Sequence, residues 1–186
     1  PQVTSFNQAD MKMHPNICSF AKGVLEDVSK GEYDGIILTT CCDSIRRLFD
    51  VLKEEYPDKF IYILDIPRIT KDAGIALYRQ RIEAMVNAYE TFSGKKFNPG
   101  RFQEYLKKEK SGQKKEEQKK NVTIGILGAR ASREMKDILQ KKQIRVAFDL
   151  TCTGLERKIL VEEDDVMTGY ARGLLSQFPC MRMEQA

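Results

Sequence analysis

The chain has 186 residues, of which 41% are hydrophobic and 31% charged, with a formal net charge of +4. That length holds one ordinary domain or two small lobes, and no apolar run approaches the roughly 20 residues of a membrane helix, so a soluble globular protein with no membrane association is expected. The charge excess is local: residues 107–120, KKEKSGQKKEEQKK, hold seven Lys and three Glu and no aromatic residue, which reads as a solvated low-complexity run and excludes a nucleic-acid partner.

The elements follow from periodicity and punctuation. Residues 14–30, HPNICSFAKGVLEDVSK, read as a helix ending near Gly31. Residues 34–40, DGIILTT, read as a short buried strand. Asp43 or Ser44 then caps a helix whose apolar face is Ile45, Leu48, Phe49 and Leu52. Tyr56-Pro57 ends that helix. FIYILD, residues 60–65, is a second strand closed by Pro67. A long helix over about residues 71–92 carries Ile75, Tyr78, Ile82, Met85 and Tyr89 at helical spacing. SGKKFNPGR breaks it, and the shorter helix FQEYLKK leads into the charged run.

A second unit starts at Asn121. VTIGILG reads as a strand, ASREMKDILQKK as a helix, IRVAFDL as a strand and EEDDVMTGYARGLLSQF as a helix, with TCTGLERK between the last two. The acidic cluster Glu162, Glu163, Asp164 and Asp165 reads as a helix start that complements the dipole. GILGAR has only Gly125 and Gly128, neither a dinucleotide fingerprint nor a Walker loop. The expected fold class is α/β: two small Rossmann-like lobes, each with parallel strands and helices on both faces. Their expected bounds are residues 1–106 and 121–186, with 107–120 as the charged linker. The chain begins with Pro and shows no secretory signal, so a missing or processed natural N-terminus is expected.

Five cysteines occur: Cys18, Cys41, Cys42, Cys152 and Cys180. An odd count without a secretory signal argues for reduced thiols in the cytoplasm rather than a disulfide framework. Cys41 and Cys42 follow one strand, Cys152 follows another, Cys18 lies near a helix start, and Cys180 lies just after a helix behind Pro179. Open α/β sheets bind ligands beyond the carboxyl ends of their strands, and helix starts favour anions such as thiolates. Core packing would scatter thiols over apolar faces instead. Adjacent cysteines suit a disulfide poorly. A zinc site lacks paired C-x-x-C spacing and has only His14 to add. A dispersed all-thiolate set suits an iron–sulfur cluster.

ICSFAKGVLE, DGIILTTCCDSIRRLFDVL and FIYILDIPR, followed in order by VTIGILGAR, VAFDLTCTGLERK and LLSQFPCMRM, resemble the 2-hydroxyacyl-CoA dehydratase family, which includes the benzoyl-CoA reductase subunits and the 2-hydroxyglutaryl-CoA dehydratase D-component. The last two motifs look most like the double-cubane branch. The resemblance implies cluster ligation by Cys18 and Cys42, joined in that branch by Cys152 and Cys180. Cys41 either ligates or is a neighbouring thiol. The implied cofactor is a [4Fe-4S] or double-cubane [8Fe-9S] cluster lying in the crevice between the lobes. The implied partners are an ATP-dependent iron–sulfur activator that supplies low-potential electrons, an acyl-CoA or other small-molecule substrate, and a second subunit in a homodimer or heterodimer. The implied reaction is reduction of a small molecule or dehydration of a 2-hydroxyacyl-CoA. Relatives continue past the Pro-Cys motif, whereas this chain stops at Ala186, so a shortened or incomplete member is expected. The alternative is a non-catalytic α/β scaffold, an electron-carrier subunit or an inactive fragment.

Ser19, Thr39, Thr40, Ser44, Thr151 and Thr153 are candidate hydrogen-bond donors to sulfur, each with an ordinary capping or turn role as well. Arg46 and Arg47, on the helix behind Cys42, either face solvent or meet phosphate or an acidic partner.

Overall fold

Alternating strands and helices pair as the sequence pattern predicts. The structure, a computed structural model, describes residues 5–31, 33–111, 122–126, 133–149, 151–152 and 165–176. In chain order the elements are α1 (Asn7–Lys12), α2 (Ser19–Lys30), β1 (Gly35–Thr39), α3 (Asp43–Glu55), β2 (Phe60–Leu64), α4 (Asp72–Ser93), α5 (Pro99–Ser111), β3 (Val122–Ile126), α6 (Arg133–Lys141), β4 (Ile144–Asp149) and α7 (Val166–Leu175). β1 pairs with β2, and β3 with β4, both in parallel. Parallel neighbours require a crossover, which α3 and α6 supply. The α/β class is therefore the observed one. No helix among the described residues is long and apolar enough to cross a membrane.

The chain divides into two compact units. Unit 1 is Pro1–Arg68 with Gln80–Lys95, and unit 2 is Ile69–Arg79 with Lys96–Ala186.

In unit 1 the core is built by the spacing that predicted the helices. Leu25 and Val28 of α2, Leu38 of β1, and Ile45, Leu48 and Leu52 of α3 are buried in one cluster with Ala9, Met13 and Ala21. Leu48 and Leu52 are fully buried, and burying one leucine contributes about 1.5–3 kcal/mol. Phe49, expected on the same face, packs at its edge. Gly35 pairs with Phe60. A Cβ on Gly35 would lie 2.5 Å from the Phe60 carbonyl oxygen, so only glycine lets the strands approach there. At the same end of β2 the Phe60 ring packs against Tyr89 and Phe92 of α4, at centroid distances of 5.2 and 5.5 Å.

Two elements of unit 1 depart from expectation. The helix expected from residue 14 starts at Ser19, because residues 14–18 make a turn instead. The Asn16 N–H donates to His14 Nδ1 at 3.2 Å and the Ile17 N–H to the His14 carbonyl at 3.0 Å. α1 has no counterpart in the sequence reading, since six residues are too few to show a period. It is held from outside. Glu26 of α2 is fully buried, and its Oε1 accepts the N–H groups of Gln8 at 2.5 Å and Ala9 at 2.9 Å. These are first-turn donors that the helix cannot satisfy itself. Glu26 Oε2 faces Lys30 Nζ at 3.7 Å.

In unit 2 the start of α4 is tied to α7. Arg79 pairs with Asp165 at 2.8 Å, and Arg172 with Asp72 at 3.5 Å. Ile75 and Tyr78 are buried, and burial pushes the Tyr78 hydroxyl up to about 12. Phe102 of α5 packs edge-on against Tyr170 of α7 at 5.0 Å. The charged run begins inside α5, which continues to Ser111. Asp165 is the N-cap of α7, as the acidic helix start predicts; Glu162, Glu163 and Asp164 lie outside the described residues.

Candidate functional site

β1 ends at Thr39, and α3 begins at Asp43. The three residues between them are Thr40, Cys41 and Cys42, so both thiols lie just beyond the carboxyl end of a parallel strand. Cys42 is the N-cap of α3 and Cys18 is the N-cap of α2, each with an extended backbone and no side-chain cap hydrogen bond. The expected caps, Asp43 and Ser44, sit inside the helix instead. Neither thiol is therefore spent on closing its own helix.

The two helix starts are joined directly. The Cys18 N–H donates to Ser44 Oγ at 3.4 Å, across 26 residues of sequence. Ser44 is buried, so its hydroxyl links α3 to the start of α2 rather than to solvent. Cys18, Cys41 and Cys42 are half-buried and pack against the same apolar core. Unit 1 thus carries three of the five sequence-predicted thiols, each against that core. Arg46 is exposed. Arg47 is exposed too and pairs with Asp50 at 2.9 Å, which places it on a solvated face.

Cys152 belongs to unit 2 and is exposed. The preceding residues are firmly held. Asp149 Oδ1 accepts from the Thr151 N–H at 3.0 Å and from its hydroxyl at 2.6 Å, and Asp149 Oδ2 pairs with Lys136 of α6 at 3.0 Å. Burial pushes the Asp149 carboxyl up, but the Thr151 hydrogen bonds and Lys136 outweigh it and leave it below the ordinary value. Thr151 is fully buried. Cys180 and Thr153 lie outside the described residues. None of the described cysteines forms a disulfide.

The donor type suits a soft metal: Cys18 and Cys42 put sulfur at two helix starts, where backbone N–H groups and the dipole favour negative charge. By donor type alone, Cys18, Cys41 and Cys42 suit an iron–sulfur cluster. Among the described residues, no group of three or more His, Cys, Asp or Glu is close enough together to hold a metal ion.

Four functional-site neighbours escape the sequence reading: Asp65, Arg81, Asp149 and Lys136. Thr40 Oγ1 donates to Asp65 Oδ1 at 2.6 Å, and Arg81 of α4 pairs with Asp65 at 2.8 Å. One signal could have found the acids. Each follows the apolar run of its unit's second strand, in YILD and VAFD.

A family model described as 2-hydroxyglutaryl-CoA dehydratase, D-component, matches residues 1–115. That span carries Cys18, Cys41 and Cys42 and leaves Cys152 and Cys180 outside it. No curated protein matches the chain.

Proposed function

Since the chain belongs to the 2-hydroxyglutaryl-CoA dehydratase D-component family, we propose that it is an iron–sulfur protein with Cys18 and Cys42 as ligands. Cys41 either ligates as well or is a neighbouring thiol, and Cys152 and Cys180 join the ligands if the cluster is a double cubane. The chain receives low-potential electrons from an ATP-dependent iron–sulfur activator and serves the reduction of a small molecule or the dehydration of a 2-hydroxyacyl-CoA. The observation that carries this reading is the union of two cysteine-capped helix starts through the Cys18 N–H and Ser44 Oγ.

When bound, the cluster supplies one-electron storage at low potential. The residues of the chain do the rest. The starts of α2 and α3 offer partial positive charge to an anionic group held by Cys18 and Cys42. The apolar core under the three thiols keeps water from one side, and such burial tunes potential. Ser44, its hydroxyl occupied by the Cys18 N–H, holds the two helix starts in register.

The test is iron and acid-labile sulfide per chain, on protein purified and reconstituted without oxygen. About eight irons supports a double cubane and about four a single cubane. Cys18→Ser and Cys42→Ser are each expected to lose most of the iron. A well-folded wild-type protein without iron, or full iron retained in Cys42→Ser, overturns the assignment.

A further inference from the structure

We infer that Asp65 and Arg81 are positioning residues for the Cys41–Cys42 pair, acting through Thr40. What they do for function rests on the cluster reading above, whereas their geometry does not. Thr40 is the residue between the end of β1 and the first thiol. Its N–H donates to the Leu64 carbonyl at 3.1 Å, which carries the β1–β2 ladder one step past the strand. Its hydroxyl donates to Asp65 Oδ1 at 2.6 Å and accepts from the Ile66 N–H at 3.0 Å. Both roles of that hydroxyl are in use, so the Thr40 side chain is pinned to the loop after β2.

That loop is pinned in turn. Arg81 pairs with Asp65 Oδ2 at 2.8 Å, and its other terminal nitrogen donates to the Asp65 carbonyl at 3.4 Å. A guanidinium held at two points fixes direction as well as distance. The chain of contacts runs from α4 through Asp65 to Thr40, and fixes where the backbone departs for Cys41. A ligand site needs its side chains held to within about 0.5 Å, which neighbouring hydrogen bonds supply. Ser44 does this for the Cys18 side; the Thr40–Asp65–Arg81 clamp does it for the Cys41–Cys42 side.

The experiment measures alkylation by iodoacetamide on the full reduced chain without metal, read by peptide mass spectrometry. Cys18 and the Cys41–Cys42 pair fall in different tryptic peptides, residues 13–22 and 31–46. The ratio of the pair's rate to the Cys18 rate cancels global unfolding. Thr40→Val is expected to raise that ratio about fivefold or more, and Asp65→Asn and Arg81→Gln about two- to fivefold, by freeing local opening of the loop. Thr40→Ser keeps the hydroxyl and is expected to restore the wild-type ratio. A ratio within about twofold of wild type in both Thr40→Val and Asp65→Asn overturns the clamp. If Thr40→Val does not fold, Asp65→Asn and Arg81→Gln decide alone. Absence of iron from the reconstituted wild type sinks the cluster reading and leaves the labelling ratio as the test of the clamp.

Discussion

Unit 1 and unit 2 each set an aspartate at the carboxyl end of the second strand, and each aspartate takes a threonine hydroxyl at 2.6 Å and a basic partner. In unit 1 the threonine comes from the other strand's loop, so Asp65 ties β2 to the cysteine pair. In unit 2 the threonine comes from the same loop, so Asp149 stiffens the path to Cys152 without reaching β3. Their surroundings differ as well. The unit 1 thiols rest on a continuous apolar core, whereas Cys152 is exposed and follows a polar knot. The unit 1 thiols have apolar packing beneath them in addition to the Asp65–Arg81 clamp. The loop before Cys152 is held by the Asp149 carboxylate and its partners.

The largest expected effect tests the apolar side of that contrast. Leu48→Ala removes a fully buried side chain beneath the cysteine loop and is expected to cost about 2–5 kcal/mol in urea unfolding. A cost under about 1 kcal/mol would show that the thiols of unit 1 do not rest on this core. Thr151→Val keeps the shape of a buried side chain but removes its hydroxyl donor to Asp149. A loss of about 1–3 kcal/mol is expected, read as faster hydrogen exchange of the β4 amides with those of β1 unchanged.

A smaller effect is expected at the start of α7. Asp165 accepts from the Met167 N–H at 3.2 Å and from the Thr168 hydroxyl at 2.6 Å. The Thr168 hydroxyl, with the Met167 N–H and Arg79, holds its carboxyl below the ordinary value against a partial opposing push from burial. Asp165→Ala is expected to cost about 1 kcal/mol, the usual worth of an N-cap. Equal melting of variant and wild type would remove the cap from the account.

The last effect is pH-dependent. The Asp149 carboxyl is depressed in the folded chain. The stability it contributes is therefore present above the unfolded value of about 3.9 and is lost as pH falls through the lower folded value. The penalty of Thr151→Val should hold near neutral pH and shrink in acid. A penalty that stays constant down to acid pH would mean the carboxylate form is not what the knot stabilises.

Much of this was legible in the residues. The alternation of apolar runs, the Pro57 and Pro67 stops and the 3.6-residue face of Ile45, Leu48 and Leu52 located β1, α3 and β2 and their parallel order, but not α1 or the start of α2. The placement of Cys18, Cys41, Cys42 and Cys152 at element ends was legible for the same reason, since an element's end is marked by its own residues. Cap identity was not. Asp43 and Ser44 are better intrinsic caps than cysteine, yet Cys42 holds the N-cap position and Ser44 turns to Cys18.

What the sequence determined by itself is local: which segments are helix or strand, which faces are apolar, and which chain positions bear thiols. Tertiary structure alone decided which of these meet. Ser44 reaches Cys18 across 26 residues, Thr40 reaches Asp65 across 25, and Glu26 reaches back 18 to hold α1. Periodicity reports the burial of one segment at a time. A hydroxyl or a carboxylate has many acceptable partners in a chain, and only closure of the fold, which strips water from all but one of them, selects among them.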